Sequence, residues 1–193
     1  MSIAWIFPGQ GSQKSGMGSF VMNLPGAKKR FDFASNVLGR DLLSICNSKP
    51  PSENVLLDLN DTRNTQPAMF VIESLLVDDL KRQGREAAFV AGHSLGEIVA
   101  LYAAEVFDAE TALNLLYKRS ELMASAQREG TMTALIGFER HDLETLVAKT
   151  QGVVIANDNS SAQVVLSGTS EAIEKVISNL KCKRSIPLNV SGA

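Results

Sequence analysis

Cysteine and histidine are scarce in this sequence of 193 residues, which contains only two of each. Cys46 and Cys182 lie far apart and form neither a Cys-x-x-Cys pair nor a cluster with histidine. The sequence therefore predicts no metal site, and we expect no cofactor. Two isolated thiols also suit a reducing compartment.

An excess of one charge is also missing, since 19 Lys and Arg residues face 21 Asp and Glu residues and the formal net charge is −2. Such a balance gives no general drive toward nucleic acid or an anionic membrane. The basic run at residues 28–30 is interpreted as a solvated helix face. No signal peptide is evident at the start, and no apolar run reaches membrane-spanning length. We therefore expect a cytoplasmic monomer with no nucleic-acid or membrane partner.

The composition, 45% hydrophobic and 21% charged, is normal for a folded globular chain and excludes general disorder. In the first part of the chain, short apolar runs predict buried strands, and apolar residues at helical spacing predict helices. The predicted elements, in order, are strand 3–7, a mixed polar stretch, helix 66–83, strand 87–91, helix 95–104 and helix 109–126. Pro67 is expected in the first turn of its helix.

The pattern changes at Gly130. The elements predicted beyond it are strand 131–137, helix 139–150, strand 153–157, strand 163–167, helix 170–180 and strand 183–190. This β-α-β-β-α-β order is the ferredoxin-like order. The sequence therefore predicts an α/β protein with a parallel-sheet large lobe at residues 1–128 and a small ferredoxin-like lobe at 129–190. Residues 191–193 are expected to begin a return to the large lobe.

The strongest local signal is Gly92-His93-Ser94-Leu95-Gly96, a G-x-S-x-G segment between a predicted strand and a predicted helix. A sharp turn at such a place exposes the serine hydroxyl, and the glycines remove side chains that would clash. The amide of Leu95, at the start of the helix, can face a developing oxyanion. Taken alone, the segment also fits a structural turn, but the flanking strand and helix favour a nucleophile at Ser94.

A serine nucleophile needs a base that takes its proton, and neither histidine suits that role. His93 is adjacent to Ser94, where backbone direction points the two side chains apart. His141 lies at the start of a predicted helix in the small lobe and is most simply a solvated residue. From the residues alone, the catalytic set is incomplete.

Six short segments are distinctive: 7–13 (FPGQGSQ), 65–68 (TQPA), 92–97 (GHSLGE), 118–123 (KRSELM), 156–159 (ANDN) and 163–168 (QVVLSG). In this order, and across essentially the whole chain, they resemble the malonyl-CoA:acyl-carrier-protein transacylase family. The resemblance implies an α/β-hydrolase-like large lobe. It also implies transfer of a malonyl group from malonyl-CoA to the phosphopantetheine thiol of acyl carrier protein, in fatty acid biosynthesis.

The resemblance also implies roles for the residues at the matched positions. Ser94 corresponds to the nucleophile that forms an acyl-enzyme, in a ping-pong route with a covalent intermediate. The backbone amides of Gln10 and Leu95 correspond to an oxyanion hole.

Three further side chains are implied to bind the substrate. Arg119 corresponds to the residue that grips the free carboxylate of the malonyl group, and a guanidinium matches a carboxylate in a bidentate fork. Gln66 and Asn159 correspond to residues that line or support the pocket. Without the surrounding motif, Arg119 would be interpreted as a solvated helix arginine.

The sequence departs from the family pattern at its end. In the family resembled, the base histidine follows the last strand of the small lobe, whereas this chain reads Leu188-Asn189-Val190-Ser191-Gly192-Ala193. We therefore expect a truncated or split protein, and an isolated piece that transfers malonyl groups very slowly.

Two other functions compete with malonyl transfer. An acyl hydrolase on carrier-protein thioesters would use the same serine, but it has no need for the carboxylate clamp that Arg119 offers. A non-catalytic module, or inactive fragment, that binds acyl carrier protein or CoA is supported only by the missing base histidine. Replacing Arg119 by alanine distinguishes a transferase, which loses malonyl preference, from a hydrolase, which hardly responds.

Overall fold

The computed structural model describes residues 2–49, 51–125 and 130–188, and the chain divides into two units, Met1–Ala124 and Ser125–Ala193. The predicted lobe boundary at 128–129 and the predicted return at 191–193 lie outside the described residues. In the first unit the elements are β1 (Ala4–Phe7), a 3-10 helix (Met17–Val21), α1 (Ala27–Leu38), α2 (Leu42–Asn47), a 3-10 helix (Val55–Leu57), α3 (Thr62–Arg82), β2 (Phe89–Gly92), α4 (Leu95–Ala103) and α5 (Ala109–Ser125).

Strands β1 and β2 form a parallel pair, as expected for an α/β lobe, with a register that runs from Ala4 opposite Phe89 to Phe7 opposite Gly92. Side chains alternate between the two faces of a strand. Phe7 belongs to the apolar cluster of this unit and Trp5 packs against it, whereas Phe89 on the other face is 68% exposed. The pairing places the ends of the two strands side by side, so the chain leaves β2 next to the end of β1.

Helix α3 begins at Thr62, earlier than predicted, and Pro67 lies inside it rather than in its first turn. Asp61 caps the helix, since its carboxylate accepts a hydrogen bond from the amide of Arg63. A proline inside a helix leaves the carbonyl four residues before it without its usual partner. Here that carbonyl belongs to Arg63, and Arg40 Nη2 donates to it at 3.1 Å. The helix therefore continues through the proline because an arginine from outside replaces the missing N–H.

The core of the first unit surrounds α3, which buries one side chain after another along its length. Its largest fully buried apolar residues are Phe70 and Leu75 on α3, Leu95 on α4, Leu113 and Leu116 on α5, and Leu42 and Leu59 before α3. Residues predicted as a mixed polar stretch thus form ordered helices that contribute to this core. No helix among the described residues is both long and apolar enough to cross a membrane.

The second unit contains β3 (Gly130–Phe138), α6 (Arg140–Lys149), β4 (Val153–Ser160), β5 (Gln163–Thr169), α7 (Ser170–Asn179) and β6 (Cys182–Leu188). Its strands form one antiparallel sheet in the order β4-β5-β3-β6. Leu135, Leu166 and Val176 lie in the apolar cluster between this sheet and its helices. The element order and the sheet order are those of a ferredoxin-like fold, so this part of the fold prediction is confirmed.

Candidate active site

Ser94 occupies the turn between β2, which ends at Gly92, and α4, which begins at Leu95. Its backbone has φ 55° and ψ −107°, a positive φ that residues other than glycine rarely adopt. The side chain is exposed. A strained serine between a strand and a helix is the geometry of a nucleophile elbow, as the G-x-S-x-G segment predicts.

The glycines of this segment are required by close backbone contacts. A Cβ atom on Gly92 would overlap the backbone of Gly96, and one on Gly96 would overlap the carbonyl oxygen of Phe7. A Cβ atom on Gly9 would lie 2.5 Å from the carbonyl oxygen of His93. The turn, the first residues of α4 and the loop after β1 are therefore packed backbone against backbone, and larger residues would force them apart.

The loop after β1 is also held by side-chain hydrogen bonds. Gln13 accepts from the amide of Gly11 at 2.7 Å, and its own amide donates to Asn60 at 2.9 Å, just before α3. Gln10 lies within this loop, and Leu95 is the first residue of α4, where an amide has no carbonyl partner inside its own helix. Leu95 directly follows Ser94, and the loop of Gln10 contacts the elbow through Gly9. The joint action of the two amides on one oxyanion stays a prediction.

Arg119 on α5 reaches the elbow, because its Nη2 donates a hydrogen bond to Ser94 Oγ at 3.0 Å. The guanidinium is half-buried, and this burial lowers its pKa while the charge of Glu97 raises it. An arginine keeps its proton at any ordinary pH, so Arg119 can stabilise a negative charge next to Ser94 but cannot act as its base. The structure therefore brings together two residues that the sequence separates by 25 positions.

A chain of hydrogen bonds continues from Arg119 away from the serine. Arg119 Nη1 donates to Gln66 Oε1 at 2.5 Å. Gln66 Nε2 donates to Thr62 Oγ1 at 2.7 Å, and the Thr62 hydroxyl donates to Gln10 Oε1 at 2.9 Å. Four of the six predicted site residues are thus linked, directly or through one neighbour. Thr62 was not predicted, and the only sequence signal for it is its position one helical turn before Gln66.

Two residues considered in the sequence lie in the second unit. Asn159 is in β4 and His141 is in α6, and the predicted role of Asn159 in the pocket stays a prediction. His93 lies in the elbow itself, where its carbonyl accepts from the amide of Gly96. Among the described residues, no group of three or more His, Cys, Asp or Glu side chains could hold a metal ion.

Comparison with known proteins finds one family whose members match almost the whole chain. Residues 4–190 match the family described as "Acyl transferase domain". A malonyl CoA-acyl carrier protein transacylase from Synechocystis sp. is 46% identical over 193 residues, which are 100% of this chain and 64% of that protein. A polyketide biosynthesis malonyl CoA-acyl carrier protein transacylase, PksC from Bacillus subtilis, is 40% identical and covers 99% of this chain and 66% of its own length.

Solved structures agree with the sequence relatives. The crystal structure of the malonyl-CoA:ACP transacylase from Synechocystis sp. PCC 6803 superposes with a TM-score of 0.89 at 45% identity, over 100% of this chain and 64% of that one. A malonyl-transacylase in complex with a type II PKS acyl-carrier protein gives a TM-score of 0.88 at 34% identity, also over 100% and 64%. The chain therefore spans about two thirds of the length of the relatives it matches.

Proposed function

The chain belongs to the acyl transferase domain family, and from this premise we propose that it serves the transfer of a malonyl group from malonyl-CoA to the phosphopantetheine thiol of acyl carrier protein. The observation that carries the proposal is the hydrogen bond of 3.0 Å between Arg119 and Ser94 Oγ. It sets a permanent cation beside an exposed hydroxyl in an elbow, which suits an acyl group that bears a free carboxylate.

The proposed reaction has two steps that share Ser94 as the acyl carrier. In the first step Ser94 Oγ attacks the thioester carbonyl of malonyl-CoA, the C–S bond breaks, and CoA leaves as its thiol. In the second step the phosphopantetheine sulfur attacks the acyl-serine carbonyl, a C–S bond forms, the ester C–O bond breaks, and the thiol proton is passed to Ser94 Oγ. A base must take the hydroxyl proton as the first bond forms, and Arg119 cannot be that base because its guanidinium stays protonated.

We propose that the amides of Gln10 and Leu95 stabilise the oxyanion of each tetrahedral intermediate. Support comes from their places next to the elbow, since Leu95 is the first residue of α4 after Ser94 and Gln10 follows Gly9, which contacts His93. An amide at a helix N-terminus carries a partial positive charge, and donors fixed in advance stabilise a developing oxyanion more than water does.

We propose that Arg119 exchanges one partner during the reaction. Gln66 is fully buried and holds Nη1 at 2.5 Å, whereas Nη2 reaches the exposed Ser94 hydroxyl. The carboxylate of a bound malonyl group would compete for this Nη2, which leaves the serine oxygen available to the thioester carbonyl. Asn159, in the second unit, is proposed as a substrate-binding residue. The predicted lobes at 1–128 and 129–190 are proposed as the domains.

The carrier protein is proposed as partner because relatives are named as acyl carrier protein transacylases, and one solved relative is in complex with its acyl-carrier protein. Relatives named for polyketide biosynthesis also match, so the proposed pathway, fatty acid biosynthesis, is one of two that this family serves. The proposed site of action is the cytoplasm.

Intact-mass spectrometry during exposure to malonyl-CoA or acetyl-CoA tests the function. We expect one malonyl group to accumulate on the wild-type chain over a time course, slowly when this chain is assayed alone, and none on Ser94→Ala. Arg119→Ala should lose about 2 to 5 kcal/mol of preference for malonyl over acetyl, because one partner of a charged pair is removed. Lys118→Ala, on an exposed neighbouring position of α5, is the control and should keep the preference.

Two results would contradict the proposal. An acyl group that stays on the Ser94→Ala protein would show that another residue is the nucleophile. Release of free malonate faster than transfer to carrier protein, with no response to Arg119→Ala, would favour the acyl hydrolase instead.

A further inference from the structure

The chain of hydrogen bonds behind Ser94 has a fixed direction, because its first member can only donate. Arg119 carries no acceptor, so Gln66 must accept through Oε1 and present its amide hydrogens to Thr62. The Thr62 oxygen is then occupied as an acceptor, and its single proton must go to Gln10 Oε1. Only a hydroxyl can accept a hydrogen bond from the Gln66 amide nitrogen and donate one to the Gln10 amide oxygen through the same oxygen atom.

Because Gln66 and Thr62 are buried, a water molecule cannot easily take the place of the Thr62 hydroxyl in this chain of hydrogen bonds. Gln66 is fully buried and Thr62 is 2% exposed. The second amide hydrogen of Gln66 also has a partner, since Nε2 lies 3.2 Å from Met123 Sδ. A buried amide that loses its acceptor pays the full cost of desolvation unless it moves. Loss of the Thr62 hydroxyl would therefore shift Gln66, and with it the guanidinium of Arg119.

Thr62 is also where two separately built parts of the site meet. It lies in the first turn of α3, next to the helix cap Asp61, and one turn before Gln66 on the same helix face. Gln10 belongs to a different element, the loop after β1 that packs against the elbow through Gly9. The carboxylate-binding arginine and the oxyanion loop thus share one hydroxyl as their common support.

We propose that Thr62 is a positioning residue that fixes the Arg119 clamp and the Gln10 loop relative to each other, and so sets both malonyl selectivity and acylation rate. The inference rests on the proposed function of this site. Thr62 touches neither substrate nor nucleophile, and it acts through Gln66 on one side and Gln10 on the other.

The test compares Thr62→Val, which keeps the shape and removes the hydroxyl, with Thr62→Ser, which restores it. Each variant is first shown to be folded by circular dichroism. Binding of free malonate, with acetate as the reference anion, is then measured by calorimetry at a temperature well below unfolding. We expect Thr62→Val to bind malonate about fivefold to tenfold more weakly, the usual effect of one buried hydrogen bond, and Thr62→Ser to recover most of that loss.

Acylation of Ser94 supplies the second readout. We expect kcat/KM for malonyl-CoA to fall more than kcat/KM for acetyl-CoA in Thr62→Val, because the clamp serves only malonyl and the loop serves both. A purely structural role for Thr62 would lower thermal stability without moving this ratio. If Thr62→Val does not fold, Gln10→Met cuts the same link on an exposed side chain and should slow both acylations equally, and unchanged rates there would overturn the inference.

The outcomes separate this inference from the proposed function. Weaker malonate binding in Thr62→Val with recovery in Thr62→Ser supports it, even if no variant is acylated and the transferase proposal fails. Acylation of the wild type together with unchanged malonate affinity and selectivity in Thr62→Val overturns it and leaves the transferase proposal intact. Absence of malonate binding by the wild type also overturns it, because no clamp would then exist to be positioned.

Discussion

Replacing Glu73 by glutamine should stabilise the protein at alkaline pH and leave its stability near pH 5 almost unchanged. Glu73 lies on α3 and is 8% exposed, and neither carboxylate oxygen has a hydrogen-bond partner in the part of the chain that the structure describes. Burial alone raises the pKa of this carboxyl from 4.5 to about 8, because a charged form without partners is strongly disfavoured in the interior.

The sign of the effect follows from proton binding. Between pH 4.5 and pH 8 the folded chain keeps the Glu73 proton and the unfolded chain releases it. The free energy of unfolding is therefore unaffected by Glu73 below pH 4.5 and falls by about 1.4 kcal/mol per pH unit as pH rises toward 8. Across this window the loss amounts to about 3 to 5 kcal/mol. Glutamine cannot ionise, so the Glu73→Gln protein should not show this loss of stability.

The assay is urea unfolding of both proteins at a series of pH values from 5 to about 8.5, the range in which the effect should develop. The single tryptophan, Trp5, lies in β1 and packs against the apolar cluster of the first unit. Glu73 lies in the same unit, so tryptophan fluorescence reports on its unfolding. Glu86→Gln, in the exposed loop before β2, is the matched control and should follow the wild-type curve. Parallel stability–pH curves for wild type and Glu73→Gln would refute the reasoning.

Two further outcomes are expected. Arg40→Met should destabilise the first unit by about 1 to 3 kcal/mol, because the carbonyl of Arg63 loses its donor. In a Pro67→Ala background that carbonyl regains a helical N–H and the cost should shrink, whereas strictly additive effects in the double-mutant cycle would contradict the explanation. At pH 8 a thiol reagent should label half-buried Cys182 rapidly and spare Cys46, since burial raises the pKa of the Cys46 thiol to about 12. A Cys182→Ser protein that still reacts rapidly would contradict this expectation.

Elements with a strong local pattern could be predicted from the sequence. The ferredoxin-like unit has apolar runs at strand and helix spacing, and its β-α-β-β-α-β order matches the structure. The elbow could also be predicted, because the two glycines around Ser94 are required by contacts within a few residues of the turn and with the end of β1. In both cases the sequence signal is local, although the contact that requires Gly96 is made with Phe7 at the end of β1.

The basic run at 28–30 indicates a helix face, but the bounds and the buried side of helix α1 were not predicted. Ala27, Phe31, Ala34 and Leu38 are buried at helical spacing, so one side of this helix contributes to the core. The Arg30 side chain, however, does not lie on a solvated surface. It donates to Ser74 at 3.0 Å and pairs with Asp78 at 2.9 Å, and its half-buried side chain corrects the prediction of a fully solvated face.

The hydrogen-bond chain of the site could not be predicted beyond its separate members. Its links join the loop after β1, the first turn of α3 and the middle of α5, elements that meet only in the folded unit. Thr62 carries no motif of its own. Its importance arises from a buried place between two amides, and burial at one helix position cannot be derived from residue type.

The backbone of Ser94 also limits how this position can change by mutation. A positive φ costs a residue with a side chain about 1 to 3 kcal/mol, and glycine escapes most of that cost. Replacing Ser94 by glycine would relieve the backbone strain of the elbow, but it would also remove the hydroxyl. If Ser94 is the nucleophile proposed above, greater backbone stability and retention of the nucleophile therefore oppose each other at this residue.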